Sequence, residues 1–427
     1  MLRDNKRNAT SQRPFCEAPL VNTSAAIRKC STSTAMYLLL ASTLLCLCFT
    51  SSSAAQSRYR QRILVLGGDG MLGSETVARL KLRGHDITIA HRGTWYWDSA
   101  LRIKPWVKFV PCDRAKFNDC AERLGDVTQE KGMFDAVFDF SGYRPSDIKD
   151  FMLKMRSRIR RYIYISTDSV YEVCEEPSHE GPTREDDAKR PEDPKTREAY
   201  SQKDPYGSAK LECEEVLRRE HELWNIPFMI IRLPDVIGMR DNTDRFWRYL
   251  LWMRFHDIFD KPLELPKSLQ NKPLSFVFAE DVANLLIVLP EYDENVYNFA
   301  YNLAFRETAT LEEFLQITAK HLGVSDVKFD KSSERGTYYY PSVTRGPVDI
   351  NMAWNYLRWN PHTLDKAIMK TVQFYEYAMR SEDFKEKRKA ILDSLPVPGH
   401  AMEAFKQRLK EVYGLDYNRP ADVKDEL

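Results

Sequence analysis

Four glycines crowd into seven residues, Gly67-Gly68-Asp69-Gly70-Met71-Leu72-Gly73, between a short apolar run, Arg62–Leu66 (RILVL), and a helical stretch, Met71–Arg83. Glycines at 67, 70 and 73 have the GxxGxxG spacing. A loop of this make-up turns tightly, lets the backbone approach a pyrophosphate, and packs the following helix close to its strand. The helix N-terminus then favours the anionic phosphates. Gly67, Gly70, Met71, Leu72 and Gly73 are therefore candidate cofactor-binding residues. A glycine triplet also serves as a plain turn, so its placement after a strand and before a helix carries the weight.

The chain downstream keeps the same rhythm. Asp86–Ala90, Val107–Pro111, Phe134–Phe140, Arg161–Ser166 and Pro227–Leu233 read as strands, and Asn118–Lys131, Ser146–Ile159 and Tyr206–Glu222 as helices. Alternation of this kind predicts an α/β protein with a doubly wound parallel sheet covered on both faces. Glu172–Asp204, dense in charge and proline, reads as an exposed loop. Ser275–Phe278 and Val296–Ala300 are further strand candidates, and Leu311–Leu322 is a helix with Thr310 as its cap. The expected organisation is a leader over 1–55, a dinucleotide-binding domain over 56–235, a smaller, aromatic-rich C-terminal part over 236–423, and a terminal signal at 424–427.

The ends argue for a location. Ala35–Phe49 is an apolar stretch of 15 residues, preceded by Arg28 and Lys29 and followed by small residues. It is shorter than the roughly 20 residues of a membrane helix and fits a secretory signal cleaved before Gln56, with an uncleaved anchor or a buried helix as alternatives. The chain ends in Lys424-Asp425-Glu426-Leu427, a retention address of the endoplasmic reticulum (ER) lumen read by the KDEL receptor. After cleavage four of the eight cysteines remain, Cys112, Cys120, Cys174 and Cys213, and an oxidising lumen permits any of three pairings. Lys and Arg total 63 against 62 Asp and Glu, which gives no support for a nucleic-acid surface. Histidine and cysteine spacings match no metal motif. The expected partners are a small-molecule substrate and the KDEL receptor, with a homodimer left open.

Three further motifs carry chemistry. The second strand ends in Ala90-His91-Arg92-Gly93, without the carboxylate that holds the ribose hydroxyls of NAD. Arg92, with His91 beside it, instead suits a 2′-phosphate, which predicts NADP, unless Arg92 is simply a solvated loop charge. Tyr206-Gly207-Ser208-Ala209-Lys210 places a phenol and an ammonium on one helical face. A cation one turn away favours the phenolate and makes Tyr206 a usable proton donor and acceptor. The fifth strand ends in Ser166-Thr167-Asp168-Ser169, and Thr167 lies where doubly wound sheets bind ligands, although a hydroxyl there also simply terminates a strand.

With these pieces assembled, the chain resembles an extended or atypical short-chain dehydrogenase/reductase of the NAD(P)-dependent epimerase/dehydratase family, over about residues 60–325. Arg232-Leu233-Pro234-Asp235-Val236-Ile237-Gly238, Phe276–Ala283, a Tyr-Xaa-Asn-(Phe/Leu) segment near Asn298 and a Thr-Leu-Glu-Glu helix start add to the likeness. The resemblance implies a Rossmann-type fold with a smaller C-terminal substrate-binding part. It implies Tyr206 as acid/base, Lys210 as the residue that tunes it and binds the nicotinamide ribose, and Thr167 as the active-site hydroxyl. Asp113 would contact the adenine, and Ser141 and Leu233 join the cofactor-binding candidates. The sequence also departs from relatives. Ser169 stands where sugar-nucleotide dehydratases of this kind carry a glutamate, which argues against that elimination. Ser141-Gly142-Tyr143 replaces the usual His-Xaa-Ala and resembles atypical members, some of which bind a dinucleotide without turnover. The expectation is an NADP-dependent oxidoreductase or epimerase of the ER lumen acting on a nucleotide sugar. A reductase of a sterol-like carbonyl compound and a non-catalytic NADP-binding protein are the alternatives.

Overall fold

The computed structural model describes residues 60–418, apart from 260, 335 and 337–344. The leader with its apolar stretch and the terminal Lys424–Leu427 lie outside the described residues.

Seven strands form one parallel sheet: β1 (Arg62–Leu66), β2 (Asp86–His91), β3 (Lys108–Pro111), β4 (Ala136–Asp139), β5 (Tyr162–Thr167), β6 (Phe228–Leu233) and β7 (Phe299–Asn302). Their order is β7-β6-β5-β4-β1-β2-β3, with every neighbouring pair parallel. Successive residues of β1 feed opposite faces. Ile63 and Val65 join Ile89, Phe138 and Ile163 on one side, whereas Leu64 and Leu66 join Val137, Tyr162 and Tyr164 on the other. Burial on both faces explains why the strands read as continuous apolar runs rather than alternating ones. The strand order reverses between β1 and β4. Connections leave that point in opposite directions, opening a crevice beyond the strands' carboxyl ends where doubly wound sheets bind ligands.

The flanking helices include α1 (Met71–Leu82), α2 (Phe117–Lys131), α3 (Pro145–Met155), α4 (Pro194–Lys203) and α5 (Pro205–Trp224). Helix α4 corrects the reading of 172–204 as an exposed loop. Asp193 accepts a hydrogen bond from the Thr196 amide at 2.9 Å and Pro194 occupies the first turn, a start signal embedded in a charged stretch. None of its ten residues is buried, so periodicity gave no warning. The same stretch is also not wholly exposed: Glu172 and Thr183 are buried. The strand placed at Val296–Ala300 moves to Phe299–Asn302, because Asn298 takes φ 72° and turns the chain just ahead of it.

Past β6 the chain builds a second apolar core. Helices α6 (Arg245–Arg254), α7 (Leu311–Leu322) and α8 (Leu364–Arg380) bring together Phe246, Phe314 and Tyr375, with Phe246 and Tyr375 stacked at 5.8 Å. Thr310 caps α7 through the Glu313 amide, as the sequence predicts, and Glu313 also reaches back to the Thr310 amide. Trp247 and Trp359 belong to buried cores, whereas Trp354 is partly exposed beneath Arg306.

Candidate functional site

The glycine loop crosses the carboxyl end of β1. Gly67 has φ 76°, and a Cβ there would lie 2.8 Å from the Ser141 Cβ, so a side chain would be both strained and crowded. Helix α1 begins at Gly70 with no side-chain cap among the described residues, leaving its first amide groups open to the crevice. Two cavities meet at this loop. One, of about 570 Å³, runs toward β5 and α5; the other, of about 490 Å³, runs toward the ends of β2 and β3. They share Gly67, Gly70, Phe140, Tyr143 and Asn242, and so form two lobes of one groove.

The structure places every sequence-predicted site residue on this groove. Gly67, Gly70, Met71, Leu72, Gly73, Thr167, Tyr206, Lys210 and Leu233 line the larger lobe. His91, Arg92, Asp113 and Ser141 line the smaller one, again with Gly67 and Gly70.

In the larger lobe, Asp204 caps the start of α5 by accepting from the Gly207 amide at 2.9 Å. Gly207 lets this first turn press against the Ser169 carbonyl, with which any Cβ would collide. Tyr206 is thereby set beside the end of β5, half exposed to the lobe that Thr167 also lines. Thr167 Oγ1 accepts from the Ser169 amide at 3.2 Å, which fixes its hydroxyl at the strand end. Lys210 is buried. Its Nζ donates to the carbonyls of Ile165 at 2.7 Å and Gly142 at 3.0 Å and lies 4.2 Å from the Tyr164 ring centre.

Burial raises the Tyr206 phenol's pKa above its ordinary value, Tyr143 and Asp168 add to the rise, and the Thr167 hydrogen bond opposes it. The ammonium is engaged by two backbone carbonyls, and its own pKa is lowered by burial to about 8.

Sequence reasoning read the segment Thr167-Asp168-Ser169 only for its hydroxyl. Asp168 also lines the lobe, and burial, followed by the charge of Asp235, pushes its carboxyl pKa well up. Asp235 pairs with Arg245 at 3.1 Å, and both face the same space. Beneath them Arg232 and Glu214 form a buried ion pair at 2.7 Å, and the Ser166 hydroxyl donates to Glu214 at 2.6 Å. Glu214 stands one turn beyond Lys210 on α5, so this pair ties α5 to the ends of β5 and β6.

His91 and Arg92, adjacent in sequence, differ in setting in the smaller lobe. The His91 ring is buried, with centroids 4.5 Å from Trp95 and 4.7 Å from Phe109, and burial lowers its pKa to about 4. Arg92 is exposed and makes no hydrogen bond or close ion pair among the described residues. Asp113 is exposed and accepts from the Ala115 amide at 3.0 Å. Ser141 donates its amide to Asp139 at 2.8 Å, and Asp139 pairs in turn with Arg114 at 3.0 Å. None of the three full pairings of four cysteines is present: the structure contains Cys112–Cys120, next to Asp113, while Cys174 and Cys213 are free and buried.

An uncapped helix start, a loop that admits no Cβ at Gly67, and an exposed arginine at the far end fit an extended anionic dinucleotide. The comparisons with known proteins agree. The model of the NAD dependent epimerase/dehydratase family matches residues 63–304. The crystal structure of dTDP-glucose 4,6-dehydratase from Bacillus anthracis str. Ames in complex with NAD is similar with a TM-score of 0.58 at 17% identity, covering 76% of this chain and 99% of that one. UDP-glucuronic acid 4-epimerase from Bacillus cereus, in complex with UDP-glucuronic acid and NAD, gives a TM-score of 0.57 at 21% identity over 74% and 99%. UDP-N-acetylglucosamine 4-epimerase from Methanobrevibacter ruminantium M1 gives 0.58 at 18% over 74% and 98%. No curated protein matches the sequence significantly. The chain belongs to the NAD dependent epimerase/dehydratase family and is an NAD(P)-dependent enzyme.

Proposed function

We propose that the protein is an NADP-dependent oxidoreductase or epimerase of the ER lumen, acting at a hydroxyl- or carbonyl-bearing carbon of a nucleotide sugar. The observation that carries this reading is the convergence of Thr167, Tyr206 and Lys210 at the end of β5, on the larger lobe of the groove. A nicotinamide dinucleotide supplies the hydride chemistry when bound; the protein supplies position and protons. The Tyr206 hydroxyl gives or takes the proton at the substrate oxygen, and Thr167 Oγ1 hydrogen-bonds the same oxygen. Lys210, buried behind them, adds positive charge where a phenolate would form. Exposed Arg92 supports a 2′-phosphate on the cofactor.

The lining supports a hydroxyl-rich substrate over a sterol-like one. Asp168, Ser169, Asp235, Asn242, Thr243 and Arg245 all face the larger lobe, whose volume suits a small-molecule ligand. The matched epimerase and dehydratase structures act on, or are named for, nucleotide sugars. The apolar leader, the terminal KDEL and the Cys112–Cys120 disulfide support a lumenal location.

Incubation with UDP-, dTDP- and GDP-sugars and either dinucleotide, read by product mass and nicotinamide absorbance, tests the reaction. Conversion of at least one sugar is expected, and dinucleotide binding without any conversion overturns it. Deleting Lys424–Leu427 should release the protein into the medium of expressing cells; a truncated chain found in the cytosol overturns the location.

A further inference from the structure

The sequence shows no carboxylate at the end of β2, and that absence carries the argument for a 2′-phosphate. The fold supplies one from elsewhere. The glycine loop leaves β1 beside the end of β2, with the Gly67 amide donating to the Ala90 carbonyl at 3.0 Å as the next rung of the ladder. Two residues on, Asp69 lines the smaller lobe together with His91, Arg92, Thr94 and Tyr96. Its Oδ2 lies 3.7 Å from His91 Nδ1.

That contact is not an ion pair at neutral pH. His91 Nδ1 accepts the Gly93 amide hydrogen at 3.2 Å, which puts the ring proton on Nε2, and burial keeps the imidazole neutral. His91 Nε2 has no partner and is sealed from solvent, so the ring acts as a wall. Burial raises the pKa of the Asp69 carboxyl, and the charge that opposes this rise is the guanidinium of Arg92. A carboxylate and an arginine therefore stand together at the place where the adenosine ribose of a dinucleotide would lie. The two demand opposite ligands. A carboxylate accepts hydrogen bonds from free ribose hydroxyls and repels a phosphate on the 2′-oxygen, whereas an arginine attracts that phosphate.

We propose that Asp69 is a specificity-determining residue: it takes the ribose-gripping role that β2 leaves vacant, and its opposition to Arg92 limits how strongly the site prefers NADP over NAD. The inference rests on the dinucleotide reading above and goes beyond it, because the discriminating acid comes from the glycine loop.

The test is Asp69→Asn, which keeps the size of the side chain and removes its charge. Purified full-length protein is titrated with NADH and NADPH by nicotinamide fluorescence, and then with AMP and adenosine 2′,5′-bisphosphate by competition. The variant should weaken NADH about tenfold while NADPH holds or tightens, raising the NADPH-over-NADH ratio at least tenfold. The same ratio should shift between the two adenosine fragments, since the effect sits at the ribose. A ratio altered less than twofold overturns the proposal. So does equal weakening of both dinucleotides, which is the result if Asp69 only shapes the loop or complements the α1 dipole. Unmutated protein that binds neither dinucleotide removes the cofactor reading itself, and is thereby distinguished from failure of the Asp69 role alone.

Discussion

The two lobes of the groove differ in how they hold their charged groups. Around the larger lobe Lys210 donates to two carbonyls, and Arg232 and Glu214 close on each other and on Ser166. Around the smaller lobe Arg114 is likewise held, by Asp139, but Arg92 and Asp113 are exposed, and Arg92 has no fixed partner among the described residues. A proton transfer needs its donor placed to within a fraction of an ångström, so the larger lobe carries the desolvation cost of interior charges. Recognition of a ribose substituent by sign of charge tolerates a mobile side chain. The contrast makes separate statements about stability, turnover and cofactor preference, and each can be broken.

The largest effect belongs to the buried pair. Glu214→Ala leaves the Arg232 guanidinium uncompensated in the core and the Ser166 hydroxyl without its acceptor. Chemical denaturation should show a loss of about 3–5 kcal/mol. Replacing both partners with apolar residues of similar volume should recover much of that loss. A single variant within about 1 kcal/mol of the parent would mean that the larger lobe is not the rigid half.

Tyr206→Phe should separate chemistry from architecture. The ring keeps its packing and loses only the transferable proton, so folding stability and dinucleotide affinity should stay nearly constant while turnover drops about a hundredfold or more. Full activity in this variant would show that another group, such as Asp168 on the same lobe, moves the proton.

His91 is the one buried titratable ring of the smaller lobe, and it should make that lobe acid-sensitive. Its folded pKa, about 4, lies below the ordinary histidine value of 6.5. The unfolded chain therefore binds the proton more readily across that window. Stability should fall as pH drops from 6.5 to 4, by up to ~3 kcal/mol, and the penalty is complete below about 4. Thermal melts at pH 7 and 4.5 for the parent and His91→Phe should show a shallower acid loss in the variant, whose ring still packs against Trp95 and Phe109. Equal losses in both would place the acid sensitivity elsewhere.

Much of this molecule was legible because its signals are local. The glycine spacing, the pairing of Tyr206 and Lys210 on one helix, and Thr310 with Glu313 at the start of α7 each lie within a few residues, where helix and turn geometry decide contacts. Helix α4 was missed because a fully solvated helix has no apolar stripe, and only Asp193-Pro194 marked it. The contacts that local patterns do not show are tertiary. Lys210 meets the carbonyl of Gly142, 68 residues away. Asp168 meets Asp235 only once β5 and β6 are side by side. Asp69 and His91 lie 22 positions apart and meet because a parallel β1–β2 pair brings a loop beside a strand end.

The smallest effect is at Arg92, and it is the cleanest probe of the exposed lobe. Arg92→Ala removes a side chain with no structural partner among the described residues, so stability should change by no more than about 0.5 kcal/mol. Its charge should matter only when a 2′-phosphate is present. The preference for NADPH over NADH should then fall by about 1–3 kcal/mol, the scale of a lost charged hydrogen bond, with NADH affinity nearly unmoved. Because the guanidinium is exposed, the parent's preference should also shrink with added salt, and that salt dependence should be weaker in the variant. Equal affinity of the unmutated protein for both dinucleotides would remove the inference from Arg92 to a 2′-phosphate. A preference that survives the substitution intact would shift the selection from charge to the shape of the pocket walls formed by Tyr96 and His91.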